Sequence, residues 1–186
     1  MKVILASASP RRLELLQQIG IEPIVCPADF DEGDGAASQA DEIVLANALG
    51  KCRAVAKLKG TELPVIGADT VVVIDNVILG KPKNSEAACA MLRQLSGRAH
   101  EVLTGIAIKY QDKEVAEVVH TKVCFRKLSE AEIEAYVATG ETLDKAGAYG
   151  IQGRGAVLVE KIDGCYINVV GLPVSRVNEI LNEMVL

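Results

Sequence analysis

Apolar residues along this chain recur with two periods, and their alternation lays out a series of strands and helices. Residues 3–6 form a short apolar run of strand type, and Leu13, Leu16 and Ile19 then return at the spacing of one helix face. Ser9 is a good N-cap, Pro10 suits the first helical position and Gly20 closes the helix, so the chain opens as strand, loop, helix. Residues 22–26 can add a second strand. After them, residues 27–38 make an acidic, glycine-bearing loop holding Asp29, Asp31, Glu32 and Asp34, which should move until something binds it. A long helix is expected over residues 39–59, opened by Ser38 and Asp41 at capping-box spacing, and Gly50 inside it costs about 1 kcal/mol relative to alanine.

Residues 64–67 and 71–74 are β-branched runs interrupted by Ala68-Asp69-Thr70, and Asp75-Asn76 turns the chain into residues 77–79. Residues 84–95 read as a helix stopped by Gly97, and residues 101–125 as two long strands around Gln111-Asp112-Lys113. Ser129 with Glu132 opens a further helix that Gly140 ends. Residues 144–155 are too glycine-rich and irregular for either period. Residues 157–162 and 165–170 suggest a hairpin turning at Asp163-Gly164, and Leu172-Pro173 leads into a closing helix. Strands and helices mix without strict βαβ alternation. The expected fold is therefore α/β, a mixed, partly antiparallel sheet flanked by helices, as a single domain over residues 1–186. With 49% hydrophobic content the chain can carry a sizeable core, divided into two lobes around a central cleft.

A net charge of -5 denies the molecule the broad basic face that duplex binding needs. No nucleic acid polymer is expected as a partner, and any anion must be met by a local cluster. Cys26, Cys52, Cys89, Cys124 and Cys165 are scattered and never spaced as C-x-x-C, so they read as reduced, mostly core thiols. His100 and His120 are too few for a histidine-rich metal site or a convincing Ser-His-Asp triad. The first residues lack the character of a signal peptide, and no apolar run approaches the roughly 20 residues that span a bilayer. A cytoplasmic protein without a membrane partner is the expectation.

The most informative stretch is Ser9-Pro10-Arg11-Arg12. Two cations in a first helical turn sit against the partial positive charge of the helix end, an arrangement that costs stability unless an anion visits. Open backbone N–H groups, a serine hydroxyl and two guanidinium forks together describe a phosphate cradle. The competing reading pairs both arginines with neighbouring acids or with water. Asp69 ends an apolar run, where a carboxylate is costly to bury unless paired or metal-bound. It could hold a divalent cation or take a proton from water, or simply cap a bend. Lys81, in Gly80-Lys81-Pro82, could turn toward the same cleft or simply lie exposed, and Lys51 has a similar status, since a lysine on a helix is usually on a solvated face. Gly147, Gly150, Gly153 and Gly155 allow close approach of backbone to a ligand or build a hairpin corner, and Gln152 offers both a donor and an acceptor to a base edge. No Walker A sequence is present.

Together, LASASPRR at 5–12, GADT at 67–70, GKP at 80–82, DKAGAYGIQGRGA at 144–156 and the following NVVGLP resemble the Maf family, in the family's order and across nearly the whole chain. That resemblance implies a nucleoside triphosphate pyrophosphatase with a mixed α/β fold, a cleft between two lobes and a divalent metal cofactor, Mg²⁺ or Mn²⁺. It casts Asp69 as the acid-base residue or metal ligand. Ser9, Arg11, Arg12, Lys51 and Lys81 fall at positions around the phosphates, and Asp31 or Glu32 at an acidic metal position. The GAYGIQG form is similar to the branch acting on dTTP, UTP and modified pyrimidine nucleotides, a choice associated with Arg11, Thr70 and Gln152. A homodimer is the assembly the resemblance allows. Two other readings remain: a nucleotide-sensing regulator of cell division without turnover, and a pyrophosphatase directed to purines or 7-methyl-GTP.

Overall fold

The computed structural model describes residues 1–31 and 39–185. The chain opens as β1 (Lys2–Leu5), α1 (Pro10–Gln18) and β2 (Glu22–Val25), with β1 and β2 parallel. Pro10 at the first turn and Gly20 with a positive φ of 75° set the two ends of α1. After α2 (Ala40–Lys59) comes β3 (Val65–Ile74), which pairs in parallel with β1 only at Val65 and Ile66. A tight turn at Asp75 and Asn76, both at positive φ, returns the chain as β4 (Val77–Leu79) along Val72 to Ile74 of the same strand. The other edge of β3 pairs antiparallel with β5 (Ala99–Tyr110) at every position from Val65 to Val73. Next come β6 (Lys113–Phe125) and β7 (Val159–Gly164), giving seven strands in the order β2-β1-β3-β5-β6-β7 with β4 beside β3.

Helices cover both faces, because adjacent strand residues belong to different clusters. Val65 and Ala107 pack with Ala48, Cys52 and Val55 of α2. Their neighbours Ile66, Ile106 and Ile108 pack with α1, with α3 (Ser85–Leu95), with α4 (Glu130–Val137) and with α6 (Val174–Val185) through residues such as Leu16, Leu92, Ile133 and Leu181. Between the stretches that pair with β1 and β4, residues 67–71 have no strand partner on that edge of β3 among the described residues. This gap in the ladder is where the cleft opens.

The mixed α/β sheet is as expected, but two elements are not. Ala68-Asp69-Thr70 does not interrupt a strand pair, since β3 runs through it without a break. Residues 165–170 do not complete a hairpin either. Asp163 and Gly164 end β7, and α5 (Tyr166–Val170) follows, held by the Asn168 amide to the carbonyls of Val102 and Val119 and closed by Gly171 at φ 127°. Gly50 leaves room for the Phe30 ring, which a Cβ would meet at 2.1 Å. All five cysteines are free, yet only Cys52 is fully buried. Burial raises the Cys52 pKa to about 12. Ser38, expected to cap α2, lies outside the described residues.

Candidate active site

Val44, Asn47, Ala48, Lys51, Cys52 and Val55 form one buried stripe of α2, at the spacing of a helix face. Two polar residues in that stripe require partners, and both find the same one. Lys51 Nζ lies 2.8 Å from Asp69 Oδ1, and Asn47 Nδ2 donates to Asp69 Oδ2 at 3.0 Å. Asp69 is 8% exposed, so its charge is tolerable because the lysine offsets it. Glycine makes the approach possible: a Cβ on Gly67 would sit 2.3 Å from the Ala48 carbonyl oxygen, and one on Gly105, the β5 partner of Asp69, 2.2 Å from that of Val44. Lys51 is therefore a buried partner of the acid and not a lysine on a solvated face.

Thr70, the next residue of β3, points to the opposite face, where Arg12 meets it. The Arg12 guanidinium donates to the Thr70 hydroxyl at 3.1 Å, to the Ser7 hydroxyl at 3.1 Å, and to the carbonyls of Ala68 and Gly171 at 2.9 and 2.8 Å. The Ala68 carbonyl lies on the edge of β3 that no strand covers among the described residues, so the guanidinium takes the place of a neighbouring strand. The Thr70 hydroxyl also lies 3.0 Å from Thr104 Oγ1 and 3.4 Å from the Gly171 carbonyl, which holds it inside the wall. Ser9 is the N-cap of α1, with no capping bond from its side chain.

The glycine-rich segment is wired to the same region. Asp144 Oδ2 accepts from Arg11 Nη1 at 2.8 Å, and its other oxygen accepts from Lys145 Nζ at 2.6 Å. Partial burial works against the Asp144 carboxylate, but these two cations outweigh it and hold its pKa down at about 2. Gly147 N donates to the Gly80 carbonyl beside Lys81 at 3.1 Å. Tyr149 packs edge-on against His100 and Phe125, and its hydroxyl meets His100 Nε2 at 2.8 Å. Burial lowers the His100 pKa to about 4, which keeps the imidazole neutral, and raises that of the Tyr149 phenol.

A cleft of about 800 Å³ joins these pieces. Ser9, Arg11, Arg12, Lys51, Asp69, Thr70, Lys81 and Gln152 all line it, so eight of the ten anticipated residues share one hollow. Asp31 is exposed and is not among the lining residues, and Glu32 lies outside the described residues. Reading the sequence missed Ser7, Asn47 and Asp144, which also line the cleft. Asn47 carried a usable signal: it stands four residues before Lys51 on a face otherwise made of Val, Ala and Cys. A family model described as Maf-like protein matches residues 2–184. The chain belongs to the Maf family. Among its Maf relatives, the dTTP/UTP pyrophosphatase of Dictyoglomus thermophilum is 50% identical over 186 residues, covering 98% of this chain and 96% of that protein. A dTTP/UTP pyrophosphatase of Bacillus cereus strain AH820 is 50% identical over 175 residues, 94% of this chain and 91% of the relative. Among solved structures, this Maf chain has a partial likeness to the nucleoside-triphosphatase / dITP/XTP pyrophosphatase of Mycobacterium abscessus, with TM-score 0.48, 21% identity, and coverage of 67% of this chain and 74% of that one.

Proposed function

We propose that this Maf protein hydrolyses dTTP and UTP between the α- and β-phosphates, giving the nucleoside monophosphate and pyrophosphate. One observation carries the reading: a buried carboxylate, Asp69, is held by Lys51 and Asn47 in the wall of a cleft that also receives Ser9, Arg11 and Lys81. The relatives' names supply the substrate class.

The triphosphate lies across the start of α1, where Ser9, Arg11, Lys81 and the open main-chain N–H groups offset its charge. Arg12 contributes positive potential while bracing the wall through Ala68 and Thr70. Gln152 presents a donor and an acceptor to the pyrimidine edge. Asp69 orients a water molecule toward the α-phosphorus and takes its proton as the new P–O bond forms and pyrophosphate departs. A divalent cation fits this donor set. Among the described residues each Asp69 oxygen accepts one hydrogen bond and keeps further lone pairs, and no group of three His, Cys, Asp or Glu residues gathers. Such a cation would be held by Asp69 together with phosphate oxygens and water, as Mg²⁺ commonly is, with Asp31 and Glu32 as the acidic-loop candidates. When bound it neutralises charge on the phosphates.

Asp69→Asn tests the assignment, with pyrophosphate and monophosphate release from dTTP measured in Mg²⁺ and in Mn²⁺. Turnover should fall by about 10²-fold or more, and Tm should fall with it because Lys51 loses its buried counter-charge, so kcat is read on the folded protein. Near-normal kcat in that variant would overturn the reading.

A further inference from the structure

We infer that Asn47 is a positioning residue for this reaction, fixing the plane of the Asp69 carboxylate through the second oxygen while Lys51 holds the first. The inference rests on Asp69 being the reacting acid. A carboxylate turns readily about its terminal torsion, and a lysine ammonium is a compact charge whose three donors rotate with it, so Lys51 alone fixes a distance but not a plane. The Asn47 amide, one helical turn earlier at the i and i+4 spacing, adds a second point of attachment at 3.0 Å from Oδ2. Both contacts leave from a single rigid element. Its backbone sits low on the sheet, over Gly67 and Gly105, which brings both side chains within reach of Asp69.

Asn47 is 4% exposed among apolar neighbours, where an amide without a partner would be costly. A purely structural reading therefore also exists: the carboxylate would satisfy the amide, with no return to the reaction. The two readings differ in what a shape-conserving apolar substitution does. Asn47→Leu keeps the branching and heavy-atom count of the side chain and removes the donor. If Asn47 serves only to satisfy a buried group, Tm moves and kcat does not. If it positions Asp69, kcat falls by about tenfold or more while KM for dTTP stays near the parent value, whatever Tm does.

The experiment measures kcat, KM and Tm for the parent chain, Asn47→Leu, Asp69→Asn and the double variant, with dTTP as substrate. Support consists of a loss in kcat without a rise in KM in Asn47→Leu that disappears in the Asp69→Asn background, because a positioning residue has nothing to act on once the acid is gone. Parent-like kcat in Asn47→Leu, with Asp69→Asn inactive, overturns the role of Asn47 and leaves that of Asp69 standing. Retained turnover in Asp69→Asn removes the acid itself. Equal fractional losses on adding Asn47→Leu to either background show that Asn47 acts elsewhere and overturn the inference. Should Asn47→Leu fail to fold, Asn47→Ala takes its place with the same readouts.

Discussion

Replacing Gly67 by alanine should damage catalysis through the backbone, without touching a polar group. The added Cβ would lie 2.3 Å from the Ala48 carbonyl oxygen, 2.8 Å from Cys52 N and 2.9 Å from Cys52 Cβ, whereas ordinary contact begins at 3.4 Å. The obstructing atoms belong to the backbone and Cβ of α2, so no side chain can swing aside and the helix must lift by roughly 1 Å, with overpacking costing about 1–3 kcal/mol. In a chain of this size that is a Tm loss of about 2–12 °C. The Lys51 and Asn47 contacts to Asp69, now 2.8 and 3.0 Å, would stretch out of good hydrogen-bond range, and a misplacement of about 1 Å can cost roughly 10²-fold in rate. Calorimetry and steady-state pyrophosphate release from dTTP measure the two effects separately. Gly80→Ala is the stability control, because its Cβ would meet nothing within 4 Å and Tm should hold. A Gly67→Ala protein with parental Tm and parental kcat would refute the claim that close approach of α2 sets the site.

Three further expectations follow from the contacts around the cleft. Thr70→Val removes the hydroxyl that bonds Arg12 and should lower kcat/KM by about tenfold, with Thr70→Ser recovering most of it. In an Arg12→Lys background the same change should add little, whereas fully additive losses would mean that the hydroxyl meets the substrate directly. Gln152→Ala should change the ratio of kcat/KM for dTTP over GTP more than it changes Tm; an unaltered ratio would place base recognition elsewhere. His100 is neutral in the fold, with its pKa depressed by burial from 6.5 to about 4. The unfolded chain takes up a proton first as pH falls. Its contribution is thus complete above pH 6.5 and drains away between 6.5 and 4, by about 3 kcal/mol from the pKa difference. His100→Gln should flatten the fall of Tm between pH 7 and 4.5, and equal falls in both proteins would show that other groups govern it.

What could be read from the residues is what local chemistry decides. Pro10 and Gly20 mark α1, and Ser129 with Glu132 forms the capping box at the start of α4. The turn at Asp75-Asn76 uses residues that tolerate positive φ, and Gln111 adopts a φ of 51° in the turn between β5 and β6. The errors arose where distant contacts prevail. An aspartate and a threonine looked like a break in β3 because nothing nearby in the chain could satisfy them, yet Lys51 and Asn47 arrive from α2 and Arg12 from α1. Ile167, Val169 and Val170 favour a strand, but the buried Asn168 amide spans two strand carbonyls and holds the segment as a helix. The cleft was legible as a set of residue types. Its arrangement was not, since the Arg11 to Asp144 contact joins positions 133 residues apart.

The bare stretch of β3 between β1 and β4 amounts to a window cut through the sheet. Asp69 looks out of it on the α2 side and Thr70, with Arg12 behind it, on the other. The Arg12 guanidinium fills part of the lane that a further strand would take, and groups from both layers of the protein line the cleft around it. Lengthening β4 by two residues would set Gly80 and Lys81 against Val71 and Thr70 and shutter that window, so the shortness of β4 is itself part of the site.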